Sequence, residues 1–163
     1  MGEEEMNKQE IEFLKESNAI EREYSSEALE DAKHAWNFAK KHKHIINLDY
    51  IKLIHQELMR RLNPRIAGKF RTVQVGVMTK DGLKEFMGYD KIEEYLLALL
   101  DMEVNVEEGI KNWHVAFEQI HPFEDGNGRV GRIIMNIQRS KIGLPLLIIH
   151  EGAEQQEYYG WFK

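Results

Sequence analysis

The 163-residue chain has no cysteine and only three prolines. Without cysteine there is no disulfide framework, no thiolate nucleophile and no cysteine-based zinc site. Gly/Ser-rich linkers and internal repeats are also missing, and the only biased tract is a short acidic start at Glu3-Glu4-Glu5. No apolar run is long enough to cross a bilayer, and no signal peptide is read before the first helix. Met1-Gly2 opens a myristoylation pattern, but Met6 stands where that pattern requires Ser or Thr. The expected location is the cytoplasm, with no membrane partner. Positive charge is short as well. Lys and Arg total 22 against 28 Asp and Glu, a net charge of −6, which argues against a broad nucleic-acid surface. What is present is an ordinary globular composition, 42% hydrophobic and 31% charged, in a chain long enough for one domain with a real core.

Helical periodicity dominates. Residues 6–22 read as a first helix, with Ile11, Leu14 and Ile20 as its apolar positions. Ser25 or Ser26 can cap a second helix carrying Leu29, Ala32, Trp36 and Ala39, closed by the basic run from Lys40 to His44. Asn47 can cap a third, with Leu48, Ile51, Ile54, His55 and Leu58 on one side, ending near Asn63-Pro64. The period then changes: Val73, Val75 and Val77 alternate, Asp81-Gly82 supplies a turn, and Leu83 to Phe86 return as a second strand. Helices resume at about 91, at about 106–120 and at about 127–142, where Gly143 and Pro145 stop the last. The tail adds one more around 154–162. The expected fold class is mainly α with one small β-hairpin.

The chemistry concentrates in residues 121–132, His-Pro-Phe-Glu-Asp-Gly-Asn-Gly-Arg-Val-Gly-Arg. Pro122 disfavours a helical His121 and so ends the preceding helix. Asp125-Gly126-Asn127-Gly128 is a tight turn feeding a strongly amphipathic helix, whose first backbone N–H groups lack partners and form an anion cradle. Arg129 and Arg132, three apart, share a face, and guanidinium groups grip phosphate oxygens bidentately. Two of them beside a cradle suit a polyphosphate. Asp125 is a hard oxygen ligand of the kind Mg²⁺ uses when it bridges phosphates. His121, with an ordinary pKa near ~6.5, can take a proton from a hydroxyl. Each part alone has a plain structural explanation; their combination within twelve residues points to metal-assisted nucleotidyl or phosphoryl transfer.

The segment resembles the signature of the Fic family, His-Pro-Phe-x-(Asp/Glu)-Gly-Asn-Gly-Arg-x-x-Arg, and fills every specified position. The resemblance covers about residues 17–150. The hairpin at about 73–86 lies where that family places its flap, and Ala67-Gly68-Lys69-Phe70-Arg71 is similar to the Gly-x-x-Arg segment before it. The resemblance implies a Fic-fold helical domain that transfers AMP from ATP to a Ser, Thr or Tyr hydroxyl of a target protein. It implies His121 as catalytic base and Asp125 as the Mg²⁺ ligand. Gly126, Asn127 and Gly128 would cradle the α- and β-phosphates through the backbone and the Asn127 side chain. Arg129 would contact the polyphosphate and Arg132 the γ-phosphate. The target would pair with the flap, which lacks the prolines many relatives carry after it. Self-modification and a homodimer are both compatible with the family's arrangement.

Ser17-Asn18-Ala19-Ile20-Glu21 resembles the family's inhibitory motif, which implies an N-terminal inhibitory helix over residues 1–24 ahead of a core over 25–163. Glu21 would then pair with Arg132 and deny it to the γ-phosphate. Arg22 stands where that motif has Gly or Asn. Arginine does not take a left-handed helix end cheaply, so the helix is expected to run on past Glu21 and to redirect its side chain. Base selection is expected from pocket walls near the hairpin and the tail, including Tyr158 or Tyr159. Two alternatives stand beside AMP transfer. One is the same fold removing AMP or transferring another nucleotide or phosphate group. The other is a nucleotide-binding regulator without turnover. Gly128 argues against the kinase-like Doc branch, which the resemblance gives a lysine there.

Overall fold

The computed structural model describes residues 5–163; the Met1-Gly2 pattern and most of the acidic start lie outside them. Helix α1 spans Lys8–Ile20. Asn7 caps it reciprocally: its Oδ1 accepts from the Glu10 N–H, and the Glu10 carboxylate accepts from the Asn7 N–H. Ser25 and Asn47 cap α2 (Ser26–Lys41) and α3 (Leu48–Met59) in the same way, each accepting a backbone N–H three residues on. A short 3₁₀ turn, Tyr89–Lys91, leads into α4 (Ile92–Leu100), followed by α5 (Glu107–Ile120), α6 (Asn127–Lys141) and α7 (Ala153–Gly160). The helices fall where the periodicity places them, with bounds that differ by a few residues. None among the described residues is long and apolar enough to cross a membrane.

Helix α6 is the axis of the fold, with α1, α2, α3 and α5 packed on it. Its apolar face, Val130, Ile133, Ile134 and Ile137, meets Ile51, Ile54, Trp113 and Phe117 in the main core. Each such side chain contributes about 1.5–3 kcal/mol on burial. The helix is amphipathic as expected, but it is buried on both faces, every residue from Asn127 to Arg139 included. Asn136 and Arg139 tolerate this because they are bonded. Asn136 exchanges hydrogen bonds with the backbone of Leu147, and Arg139 donates to the Pro145 carbonyl and pairs with Glu107.

The hairpin is shorter than the alternation predicts. Strands β1 (Gly76–Thr79) and β2 (Gly82–Glu85) pair antiparallel, Val77 opposite Lys84 and Met78 opposite Leu83. One further bond, from the Phe86 N–H to the Val75 carbonyl, extends the pairing. Val73 stays outside because its carbonyl accepts from Arg71 instead. The loop residues are Lys80 and Asp81, and Gly82 opens β2 at φ +110°. Met78 and Leu83 are 74% and 63% exposed, so the hairpin projects from the body with apolar side chains in solvent.

The end of α1 also departs from expectation. The helix stops at Ile20 instead of running through Arg22, and Arg22 takes the left-handed conformation at φ +57°. The reason is a closed pair of terminal hydrogen bonds: Arg22 N–H to Ala19 O at 2.9 Å and Glu23 N–H to Asn18 O at 3.0 Å. These satisfy carbonyls that the helix end leaves open, and they offset the ~1–2 kcal/mol of a left-handed non-glycine residue.

Candidate active site

The 121–128 loop is held rigidly from beneath. His121 ends α5 in the left-handed region, φ 52° and ψ 63°, an uncommon place for a residue with a Cβ. Arg71 stabilises it. The buried guanidinium donates from Nε to the His121 carbonyl at 2.7 Å, and from its other nitrogens to the carbonyls of Ile120, Val73 and Met87. Its backbone N–H donates to the Pro122 carbonyl. One side chain thus closes the end of α5 and ties both legs of the hairpin to the loop. Phe123 is fully buried and lies flat on His55, ring centroids 3.7 Å apart at 4°. His55 Nδ1 accepts the Gly68 N–H, so its proton sits on Nε2 and is donated to the Asp125 carbonyl at 2.8 Å. Burial pushes the His55 pKa down to about 4, which keeps that arrangement neutral.

The Asn127 amide is spent inside the loop. Its Oδ1 accepts the Phe123 N–H and its Nδ2 donates to the Phe123 carbonyl, both at 2.9 Å. The side chain expected to face a phosphate therefore staples the turn, and the backbone is what the turn offers an anion. Gly126 has φ +88°, and a Cβ there would stand 3.2 Å from the His55 ring and the Met59 sulfur.

His121 has one nitrogen committed. Nδ1 lies 3.3 Å from the Glu118 carbonyl, to which its proton is donated, leaving Nε2 as the acceptor. The ring lies parallel to Phe86 at the base of the hairpin, centroids 3.9 Å apart at 2°. Burial lowers its pKa, so the imidazole is neutral near pH 7.

The two arginines of the loop part company. Arg132, 2% exposed, turns to α1: Nε donates to Ser17 Oγ at 2.8 Å, and Nη2 donates to the Ser17 carbonyl at 3.0 Å and to Glu21 Oε1 at 2.9 Å. Ser17 and Glu21, four apart, share the face of α1 that meets it. Arg129 is buried beside Asp125, 3.6 Å from its carboxylate, with Nε lacking a hydrogen-bond partner. The Asp125 carboxylate is exposed and accepts the Gly126 N–H. Among the described residues no three acidic or histidine side chains gather as a metal cage. Gly128 completes the picture, because a Cβ there would collide with the Glu21 carboxylate and stand 2.7 Å from Arg132 Nη1.

A cavity of about 350 Å³ opens between the hairpin, the end of α1 and α7, reaching Arg132, Glu21, Glu118 and Phe86. Tyr158 and Tyr159 both line it, so the tail does reach the site. Two residues that sequence reasoning left out, His114 and Glu118, are also here. The Tyr158 hydroxyl lies 2.6 Å from His114 Nε2 and 3.3 Å from Arg132 Nη1. His114 is wholly buried, and burial drives its pKa to about 3. Glu118 buries an Oε1 with no partner, and burial raises its pKa to about 7. The signal for His114 was a titratable residue on the apolar stripe Ile110–Trp113–Phe117–Ile120 of α5.

A model of the Fic/DOC family matches residues 45–138, more than half of the chain. The chain is 30% identical over 126 residues to protein adenylyltransferase fic-1 of Caenorhabditis briggsae, covering 73% of this chain and 24% of that protein. It is 30% identical over 119 residues to protein adenylyltransferase Fic of Nematostella vectensis, covering 70% and 27%. It thus spans about a quarter of the length of these relatives. Among solved structures, a Fic domain-containing signaling protein from Bacteroides thetaiotaomicron superposes with a TM-score of 0.79 at 19% identity, over 94% of this chain and 69% of that one. A Fic-1 fragment from Caenorhabditis elegans gives 0.76 at 22%, over 95% and 55%. The family match runs through the hairpin and the loop that carries His121, Arg129 and Arg132, and with it the chain belongs to the Fic/DOC family.

Proposed function

We propose that this protein transfers AMP from ATP to a hydroxyl of a protein, and that α1 holds the reaction in check. The observation that carries the reading is the Glu21 carboxylate, which rests against Gly128 at the N-terminus of α6 and on Arg132. An acidic group of the chain itself occupies the place that an anion cradle and a buried guanidinium prepare. The adenylyltransferase names of its relatives support the choice of reaction.

In this reading ATP lies along the loop, its phosphates against the backbone N–H groups of Gly126 to Gly128. The cavity wall at Tyr159 takes the base. A target segment pairs with an edge of the β1–β2 hairpin and brings its hydroxyl to His121. Nε2 accepts the proton as the hydroxyl oxygen bonds to the α-phosphorus and the bond to the β-phosphate oxygen breaks, releasing pyrophosphate. The Phe86 stack and the Glu118 carbonyl hold the imidazole in the tautomer this needs. Asp125 fits a magnesium ion of the kind that uses one carboxylate and substrate phosphates; when bound, it would neutralise charge on the polyphosphate. Arg132 would meet the γ-phosphate, and Glu21 prevents that while α1 is docked.

The test follows label from α-phosphate-labelled ATP, with Mg²⁺, into the protein itself and into a cell lysate. Glu21→Gly should label strongly, wild type weakly, and Glu21→Gly/His121→Ala not at all. Equal labelling by wild type and Glu21→Gly removes the brake. Absence of label in every sample, with ATP bound, overturns AMP transfer.

A further inference from the structure

The buried polar groups that the proposed chemistry leaves unused, His114 and Tyr158, both lead to Arg132. Three of the five guanidinium N–H donors, on Nε and Nη2, are taken by Ser17 and Glu21 of α1. That Nε–Nη2 edge is the one a guanidinium presents for side-on bidentate binding of a phosphate or carboxylate. The remaining nitrogen, Nη1, points to the Tyr158 hydroxyl. When α1 undocks, every partner on the Nε–Nη2 edge leaves together, and Tyr158 is the hydrogen-bond partner that stays. The ring of Tyr158 also faces the guanidinium, 5.7 Å from its central carbon.

The direction of the hydrogen bonds follows from the donor inventory. Arginine only donates, so the Tyr158 oxygen accepts from Nη1. Its own proton then goes to His114 Nε2 at 2.6 Å. The opposite tautomer would leave the tyrosine proton buried without an acceptor, which costs free energy. The low pKa of His114 agrees, since a neutral ring is what can accept. Tyr158 is itself fixed by edge contacts with Trp161 and Phe162. The hydrogen-bond and ring support therefore comes from α5, α7 and the residues just after it, while α1 adds only the apolar packing of Ile20.

We propose that Tyr158, oriented by His114, is the positioning residue that keeps the Nε–Nη2 edge of Arg132 facing the terminal phosphate of a nucleoside triphosphate once Glu21 has left. This rests on the reading of Arg132 as the γ-phosphate contact. It separates two roles of α7, since Tyr158 acts on the phosphate end of the ligand through its hydroxyl, whereas a wall residue acts on the base through its ring.

Calorimetric titration of ATP and of ADP into Glu21→Gly and Glu21→Gly/Tyr158→Phe tests it. Loss of a hydrogen bond to a charged group is expected to lower the ratio of ATP to ADP affinity by about tenfold. Tyr158→Phe keeps the ring, so if Tyr158 only packed against the base both affinities and their ratio would stay unchanged, which overturns the proposal. Glu21→Gly/His114→Leu, which keeps the tyrosine and removes its acceptor, should lower the ratio too, while His114→Gln, which keeps an acceptor, should restore it. A normal ratio in both the Phe and Leu variants sinks the idea even if one of them folds poorly. Failure of Glu21→Gly itself to bind either nucleotide is a separate result: it overturns the proposed function, and this inference with it.

Discussion

Arg71 Nε donates to the carbonyl oxygen of His121 at 2.7 Å, and the same guanidinium reaches the carbonyls of Val73 and Met87 at the two feet of the hairpin. The residue proposed as base and the strands proposed to present its substrate are therefore registered by one side chain. Lysine cannot reproduce this fork. Arg71→Lys is expected to lower AMP transfer in a Glu21→Gly background by roughly 10- to 100-fold through misplacement of His121. ATP affinity should change little, because Arg71 lies off the phosphate cradle. Single-turnover labelling with parallel ATP titration checks the split; equal losses in both would mean that Arg71 simply holds the fold.

Arg22 carries a left-handed backbone at the end of α1. Arg22→Gly removes that strain, ~1–2 kcal/mol, but adds freedom to the unfolded chain worth roughly 0.5–1 kcal/mol. The expected net is a stabilisation of about 0.5–1 kcal/mol, or roughly 1–4 °C in Tm. Basal labelling by the otherwise wild-type protein should fall, since α1 is docked more firmly. A drop in Tm would show that the Arg22 side chain contributes more than its backbone costs.

Two buried histidines should weaken this protein as pH falls. His55 and His114 have folded pKa values near 4 and 3 because burial disfavours their charged forms. In the unfolded chain both titrate near ~6.5. Between those values the unfolded state binds protons that the folded state refuses, so stability rises with pH and is lost as pH falls below about 6.5. At pH 5 each histidine removes at most about 2 kcal/mol relative to pH 7. His150 acts in the other direction: held between Glu12 and Glu154, with its pKa raised to about 9, it favours folding at low pH and loses that contribution as pH rises through about 9. Urea midpoints at pH 7 and pH 5 measure the balance. Glu118, raised to about 7 by burial, also favours folding as pH falls, so a pH 7 to pH 5 difference that is the same in wild type and in His55→Gln/His114→Gln would contradict neutral, buried His55 and His114.

The helices were legible because their signals are local. Asn7, Ser25 and Asn47 accept backbone N–H groups within one turn, and the apolar spacing of α3, α5 and α6 reports the face each buries. The hairpin was legible in kind but not in extent. Alternation of Val73, Val75 and Val77 says nothing about Arg71, which draws the Val73 carbonyl away from the ladder. Arg22 misled for a related reason. Intrinsic preference disfavours its conformation, but the bonds from Arg22 and Glu23 back to Ala19 and Asn18, with Ile20 packed beneath α7, outweigh a penalty of one or two kcal/mol.

By itself the sequence determined the family, the helical class and the twelve residues around which a site is built, since a turn, a cap and a helix start are written within a few positions of one another. Only the tertiary structure decided which groups face each other across 26 to 115 residues of chain. It added Ser17 to Arg132 beside the Glu21 that the family resemblance already paired with it, and withdrew the Asn127 amide into the loop. It also made Tyr158 and His114 partners of the same guanidinium. The physical reason is burial. A charged or polar group deep in a core must find a partner of fitting geometry, and the partner it finds depends on packing that no local pattern encodes.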